Sequence, residues 1–557
     1  MTQTRRNFLR TVAALAAASL TRARSSWAAT GEGTESAAPL SQFGYGAAEL
    51  LEGPLRQQFE TNHAFYLALD EDSLLKPFRE RAGLPAPGED MGGWYDWTDD
   101  VPLKNNHGFA PGHSFGQYLS GLARDYAATG SKPTQEKIQR LVRGYGAAVS
   151  PHFNEGHRFP AYTYDKIAIG MLDAHEFAGD TAALKVLDRA LDAVLPFLPA
   201  TALSRAQQYA RPHTDDSFCY DEYYTLPENF FLAYKRGAGA RYRELGIRFL
   251  ADDWYFDPLA AGQNVLPGKH AYSHVNALSS AMQAYLVLSS EKHLHAAENG
   301  FGFLRDTQSF ATGGWGPDEW FRAPGSGEIG ASLFKSHSSF ETPCGAYAHF
   351  KITRYLLRVT RDSRYGDSME KVLYNTILGA KPIRKDGIGF YYSDYNIDGS
   401  KFYRDQKWTC CSGSFAEITA EKPGTFPVLL RIPSWAGSRT RIAVNGTLAL
   451  SSPEPGKFAR LERTWKSGDR IEIEFDMPTV LEAVDPQHPE LQAPVHGPLA
   501  LFSVGAIPAK VSREELLAAR QVSAGSTDWE AETAAGRLTL RPFPVIGDEH
   551  YRLYLST

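Results

Sequence analysis

Cysteine is scarce in this chain, with four in 557 residues. A scaffold stapled by disulfides is excluded at that density. No two cysteines stand in a C-x-x-C pair, so the spacing that usually marks a structural zinc site is missing as well. Basic residues are not in excess either. Lysine and arginine together number 58 against 64 acidic residues, for a formal net charge of −6. That argues against a nucleic-acid partner, because no surplus of cations is left to neutralise phosphates. Beyond the N-terminal segment no uninterrupted apolar run is long enough to span a bilayer, so the mature protein has no membrane span.

Hydrophobic residues make up 43% and charged residues 22%, as in a soluble globular protein long enough for two or three domains. Aromatics reach 12%. Most belong in a core, but flat rings also suit stacking on sugar faces. The N-terminus reads "TRRNFLRTVAALAAASL", with Arg5 and Arg6 ahead of Phe8, Leu9 and an apolar run. This is the pattern of a twin-arginine export signal, and "SSWAA" supplies a small-residue cleavage site. A short amphipathic helix is the alternative. Residues 1–40 are therefore assigned to signal and linker, and an exported protein, periplasmic or extracellular, is expected.

From 41 to 421 the apolar period is helical and recurs. Tyr126, Phe177, Tyr234, Tyr285 and Leu357 mark equivalent places in successive helix–turn–helix units, at intervals of roughly 50 residues with the last one wider. A chain of this length made of such hairpins fits a closed toroid of about six, an (α/α)6 barrel, with an irregular helical domain as the alternative. From 422 to 557 the period changes to 2, in "FPVLLRIPSW", "TRIAVNGTLAL" and "DRIEIEFDM", and Asn445-Gly446 is a hairpin turn signal. This part reads as a β-sandwich-type region, with "SREELLAAR" as one solvated helix.

The chemistry-bearing residues sit at helix entrances. In "FETPCGAYAHF", Thr342 fits an N-cap and Pro343 the first helical position. Cys344 then lies in the first turn, where free N–H groups favour a thiolate, with Glu341 just outside. In "WTCCSGSFAEITA", Ser414 and Glu417 fit a capping box, which puts Cys410 and Cys411 just before another helix. Adjacent cysteines do not readily bond each other. If the two entrances converge, Glu341, Cys344, Cys410 and Cys411 make one tetrahedral S3O site suited to Zn2+. The competing reading is disulfides, for example Cys344 to Cys410. Cys219 reads as a buried free thiol. The Gly/Pro loop "TGGWGPDEWF" carries Asp318 and Glu319, and "GSGEIG" offers Glu328 as a competitor. His113, Glu228, His270 and His274 lie at further helix starts, and with Tyr392 they form the candidate sugar-binding set.

Together, "GHSFGQYLSGLARDYAATG", "YDKIAIGMLDAHEFAGD", "LPGKHAYSH", "TGGWGPDE", "ETPC", "YNTILGA", "CCSG" and "LRIPSW" resemble glycoside hydrolase family 127 and its relative, family 146, whose members include β-L-arabinofuranosidases. The resemblance implies an (α/α)6 barrel followed by β-sandwich modules. It implies zinc held by Glu341, Cys344, Cys410 and Cys411, with Cys410 as nucleophile and Glu319 as acid/base, and substrates with furanoside ends. The sequence departs from the family pattern at three points. Glu-Thr-Pro-Cys stands where Glu-x-Cys is usual, Gln117 where a second histidine is common, and "EITAEKPGTFPVLLRIPSW" crosses almost directly a junction where several more strands are expected. Two other readings of the same toroid are a non-catalytic carbohydrate-binding protein and another (α/α)6 sugar enzyme, such as an epimerase or an unsaturated-uronide hydrolase.

Overall fold

The computed structural model describes residues 40, 44–47, 49–98, 107–204, 206–207, 222–420, 429–461 and 468–557. The twin-arginine segment, Cys219 and the junction at 421–428 lie outside the described residues. The main helices are α1 (Pro54–Ala68), α2 (Glu71–Arg81), α3 (Phe115–Thr129), α4 (Lys132–Ala148), α5 (Pro160–Ala178), α6 (Ala183–Val194) and α7 (Leu226–Lys235). They continue with α8 (Ala240–Arg248), α9 (Ala271–Leu288), α10 (Glu291–Thr307), α11 (Thr342–Thr360), α12 (Ser363–Val372) and α13 (Cys410–Ala420).

Six of these form a closed inner ring. Helices α3, α5, α7, α9, α11 and α13 each pack on the next, and α13 returns to α3. Outer helices α4, α6, α8, α10 and α12 each follow and cover their inner partner, and α1 covers α13, so the sixth hairpin joins the two ends of the helical region. The fold is thus the expected α/α barrel. The sequence patterns differ as the two rings require. Helices α5 and α9 are buried on almost every side, whereas α6 buries one stripe through Val186, Leu187, Ala190, Leu191 and Val194. The recurring landmarks Tyr126, Phe177, Tyr234, Tyr285 and Leu357 all fall near the C-terminal ends of inner helices. Two of those ends close on a left-handed glycine, Gly130 and Gly179. Inner helices α3 and α5 approach backbone to backbone. A Cβ at Gly116 would lie 1.8 Å from the Lys166 carbonyl oxygen, and one at Gly170 would lie 2.4 Å from that of Gly116.

The C-terminal region is strand-rich, as expected. Strands β3 (Leu429–Ile432) and β6 (Lys457–Arg460) pair alone, and β5 (Thr447–Ser451), β4 (Arg441–Val444) and β7 (Ile471–Glu474) form a three-stranded sheet. These two small sheets share an apolar cluster around Ile432, Ala436 and Ile442. Asn445 and Gly446, both at positive φ, join β4 to β5 as the two-residue turn the sequence predicts. A larger eight-stranded sheet contains β9 (Leu491–His496), β10 (Leu499–Val504) and β13 (Gly536–Pro542). The short helix Arg513–Leu517 begins on a capping box of Ser512 and Glu515. Among the described residues no helix is long and apolar enough to cross a membrane.

Candidate active site

Inner and outer helices alternate, so the N-termini of all six inner helices open at one end of the ring. Candidate residues gather there: His113 just before α3, Tyr162 in the first turn of α5, Glu222 before α7, His270 before α9, Glu341 before α11, and Cys410 and Cys411 opening α13. Free N–H groups and helix dipoles make this end favourable for anions.

Helix α11 starts one residue earlier than its sequence suggests, with Glu341 in the N-cap position. The Thr342 hydroxyl does not cap the helix. It donates to the Phe340 carbonyl at 3.2 Å and accepts from the Ser393 amide at 2.7 Å, which ties the helix to a two-stranded ladder of β1 (Phe340–Glu341) and β2 (Tyr392–Ser393). In that ladder Glu341 stands opposite Tyr392. The expected capping box of Ser414 and Glu417 is not formed either, because α13 already begins at Cys410. Both residues are buried inside that helix and receive hydrogen bonds of 3.0 Å from the Gln117 side chain. Gln117 therefore braces α13 from α3. The entry to α13 is braced as well: Trp408, at positive φ, donates its indole N–H to the Met91 carbonyl at 2.6 Å, and Tyr66 donates to the Ser412 carbonyl at 2.7 Å.

The two entrances converge. One ligand atom from each of Glu341, Cys344, Cys410 and Cys411 lies within 4.8 Å of all the others, and all four side chains are buried. Cys410 Sγ is 3.3 Å and Cys411 Sγ 3.6 Å from Glu341 Oε1, and Cys411 Sγ is 3.6 Å from Cys344 Sγ. None of the three thiols is in a disulfide, which removes the Cys344–Cys410 bridge from consideration. The extra residue in Glu-Thr-Pro-Cys is absorbed in the first turn of α11 and leaves Cys344 in the cluster. Zinc bonds of about 2.3 Å to sulfur and about 2.0 Å to oxygen, set tetrahedrally, place S···S edges near ~3.8 Å and S···O edges near ~3.5 Å. The observed edges lie close to these values, and the buried Glu341 Oε2 has no hydrogen-bond partner among the described residues. The donor set fits a zinc ion.

Four acidic groups in so small a volume oppose one another's ionisation. Burial, followed by the Cys410 charge, pushes Glu341 far above the usual carboxylate range. Burial and neighbouring sulfurs push Cys344 up strongly, and burial does the same for Cys411. Cys410 is the exception. Burial raises it, but hydrogen bonds from Cys344, Cys411 and Tyr391 outweigh that and hold it well below the usual thiol range. The Tyr391 hydroxyl lies 3.6 Å from its sulfur.

Above the cluster is a cavity that Cys410 and Glu319 both line. Trp94, Phe109, Phe159 and Tyr162 give it aromatic walls, and Cys410, Glu341, Glu319, His270 and Glu222 give it polar ones. Glu319 has φ 66 and follows Asp318 at φ 55, a strained pair of left-handed non-glycine residues. Asp318 accepts hydrogen bonds from Ser336 and, at 3.0 Å, from Arg322, and its amide donates to the Ser338 carbonyl at 2.8 Å. Tyr392 donates to Glu319 Oε1, and His270 Nε2 lies 3.4 Å from Oε2. Glu328 is exposed.

The rest of the expected sugar-binding set is placed differently. His270 lines the cavity itself, and Tyr392 reaches it through Glu319. His113 lies beneath it, stacked on Tyr162, with Nδ1–H donating to the Ala110 carbonyl at 2.7 Å. Burial lowers His113 to about 4, so it is neutral. His274 is turned away, its Nδ1–H donating to the His270 carbonyl at 2.7 Å among Tyr224, Trp254 and Tyr255. Glu228 is bound by Lys351 and, at 3.1 Å, by Tyr355 inside the ring. Neither residue lines the cavity. Glu222 was not singled out in the sequence, nor was Tyr391. Glu222 belongs to no motif, and its only signal is its place, an acid ahead of an inner helix at the end where Glu341 and Cys410 also stand.

The family model for the GH127 β-L-arabinofuranosidase catalytic domain matches residues 47–424, and that for the GH127 middle domain matches 407–477. No curated protein matches the chain. Among solved structures it is similar to a GH127 β-arabinofuranosidase, at 15% identity and a TM-score of 0.65 over 93% of this chain and 98% of that one. It is similar also to a GH127 β-L-arabinofuranosidase from Geobacillus stearothermophilus T6, at 14% identity and a TM-score of 0.65 over 91% and 99%. The catalytic-domain match spans well over half of the chain, and the chain belongs to glycoside hydrolase family 127.

Proposed function

We propose that the protein is an exported, retaining exo-glycosidase that removes terminal β-L-arabinofuranosyl or closely related furanosyl units, with a helical catalytic domain over 41–421 and a β-sandwich-type region over 422–557. The observation that carries this reading is the juxtaposition of Cys410, Glu341 and Glu319 in the lining of one cavity, with Cys410 and Glu341 also in the Glu/Cys cluster.

Glu341, Cys344, Cys410 and Cys411 would hold a zinc ion. When bound, zinc keeps its thiol ligands deprotonated at neutral pH. Cys410 Sγ attacks the anomeric carbon as the bond to the leaving oxygen breaks, and Glu319 gives that oxygen its proton. The product of this step is a thioglycosyl bond on Cys410. Water then attacks the same carbon, Glu319 takes its proton, and the C–S bond breaks. Two inversions return the original configuration. Tyr392 and His270 hold the Glu319 carboxyl between them, and the aromatic walls keep bulk water from the sulfur. Export is read from Arg5-Arg6, and replacing both by lysine should retain the protein in the cytoplasm.

The test is hydrolysis of nitrophenyl β-L-arabinofuranoside together with zinc content. Wild type should turn the substrate over and bind one zinc per chain. Cys410→Ala should lose turnover by a factor of about 10³ or more. Turnover surviving that substitution rejects the mechanism.

A further inference from the structure

Glu222 is 1% exposed and lines the cavity beside Cys410 and Glu319. Neither of its carboxyl oxygens has a hydrogen-bond partner among the described residues. His270 Nδ1 stands 3.8 Å from Oε1, an ionic contact rather than a hydrogen bond, and that nitrogen is already engaged with the Ser273 hydroxyl at 2.9 Å. The nearby Lys166 ammonium lies 3.2 Å from the Tyr272 hydroxyl and 3.5 Å from Asp165. A buried carboxyl group whose oxygens accept no hydrogen bond from the protein is costly to fold, and the contact with His270 offsets only part of that cost. Burial raises Glu222 to about 8, with Lys166 and His270 opposing that rise. Protonated, the group offers one donor and one acceptor, and ionised, two acceptors. Either form suits two adjacent hydroxyls.

We infer that Glu222 is the two-point hydrogen-bonding partner of the ring hydroxyls of the bound glycosyl unit, and that it sets which hydroxyl pattern the enzyme accepts. This rests on the glycosidase reading above. A site that hydrogen-bonds a substrate hydroxyl rejects the analogue lacking it far more strongly than an apolar pocket could, because the analogue leaves the protein's own polar group buried and unpaired. A diol entering the cavity would supply the hydrogen bonds that the described residues do not give Glu222.

The experiment compares kcat/KM for nitrophenyl β-L-arabinofuranoside with its 2-deoxy and 3-deoxy analogues, in wild type, Glu222→Gln and Glu222→Ala, with zinc content and thermal melting of each protein. Wild type should discriminate against at least one deoxy analogue by about 100-fold or more. Glu222→Ala should lose most of its rate on the parent substrate while its parent-to-deoxy ratio collapses to within about 5-fold. Both variants should keep full zinc, and Glu222→Ala should melt no lower than wild type, since it removes an unpaired buried group. A ratio unchanged from wild type, or a melting point lower by several degrees with that ratio intact, marks Glu222 as scaffold and overturns the inference alone. A wild type that turns over no glycoside overturns the glycosidase reading and this inference with it.

Discussion

In the proposed mechanism Glu319 gives up a proton and then takes one back, and Tyr392 and His270 stand against that carboxyl. Its backbone is held in a left-handed conformation by the anchors on Asp318, so the side chain is fixed by its main chain before substrate arrives. Glu319→Gln should lower kcat by about 10² to 10⁴ on alkyl glycosides and much less on nitrophenyl glycosides, whose leaving group needs little protonation. Steady-state kinetics on the two substrate types checks this. Cys411→Ser and Cys344→Ser should each reduce bound zinc below one per chain, read by metal analysis of the purified proteins. The convergence of Glu341, Cys344, Cys410 and Cys411 was legible because cysteine is rare and each of the four stands at a helix entrance. Glu222 was not legible, because acids before helices are common and only the closed ring shows that this one faces the cavity. Glu228 and His274 turn to Lys351 and to the His270 carbonyl instead, because sequence gives the order of residues along a helix but not the direction each side chain takes in the closed ring.

The elements place these residues by packing, and two contacts expose that packing to test. The α3–α5 crossing leaves no room for a methyl group at Gly116. Gly116→Ala should destabilise the protein by about 3 kcal/mol or more, since backbone has to move; thermal denaturation measures the loss. His349 in α11 accepts from the Trp315 indole at 3.2 Å and lies 3.0 Å from the Ser368 hydroxyl, joining the Glu319 loop to α11 and α12. Burial lowers it to about 3, so it is neutral in the folded protein. The unfolded chain takes up this proton near the ordinary histidine value, whereas the folded one resists it, so stability falls as pH drops from about 6.5 toward 3. The contribution is about 1.4 kcal/mol per pH unit. Stability against pH over that window should be less steep for His349→Gln than for wild type by this amount. The helical period and its recurrence were legible because each inner helix must end in a turn of similar chemistry. The pairing of α1 with α13 was not, because it joins distant parts of the chain and leaves no local pattern.

At the scale of the whole molecule, the strand-rich region holds the loop that leads to Glu319. Tyr554, near the C-terminal end, accepts a hydrogen bond of 2.8 Å from the Ala311 amide, and the Tyr395 hydroxyl accepts from Thr312 at 2.7 Å. Asp485 accepts from the Gly330 amide at 2.6 Å, and Lys371 on α12 bridges to Glu482 at 2.7 Å. Tyr554→Phe leaves the Ala311 amide without a partner. It should cost about 1–3 kcal/mol of stability and lower kcat more than it raises KM, because the loop that positions Glu319 slackens. Melting and kinetics on the same preparation measure both.

The central claim is that the sugar is carried for part of the cycle on the sulfur of Cys410. Glu319→Ala protein mixed with nitrophenyl β-L-arabinofuranoside can still form that bond, because the aryl leaving group departs unaided, but it lacks the base that breaks it. Mass spectrometry of the rapidly denatured mixture should find one added anhydropentose per chain, and peptide mapping should place it on Cys410. An adduct on Glu341, or full turnover with no adduct by a Cys410→Ala protein, contradicts the account.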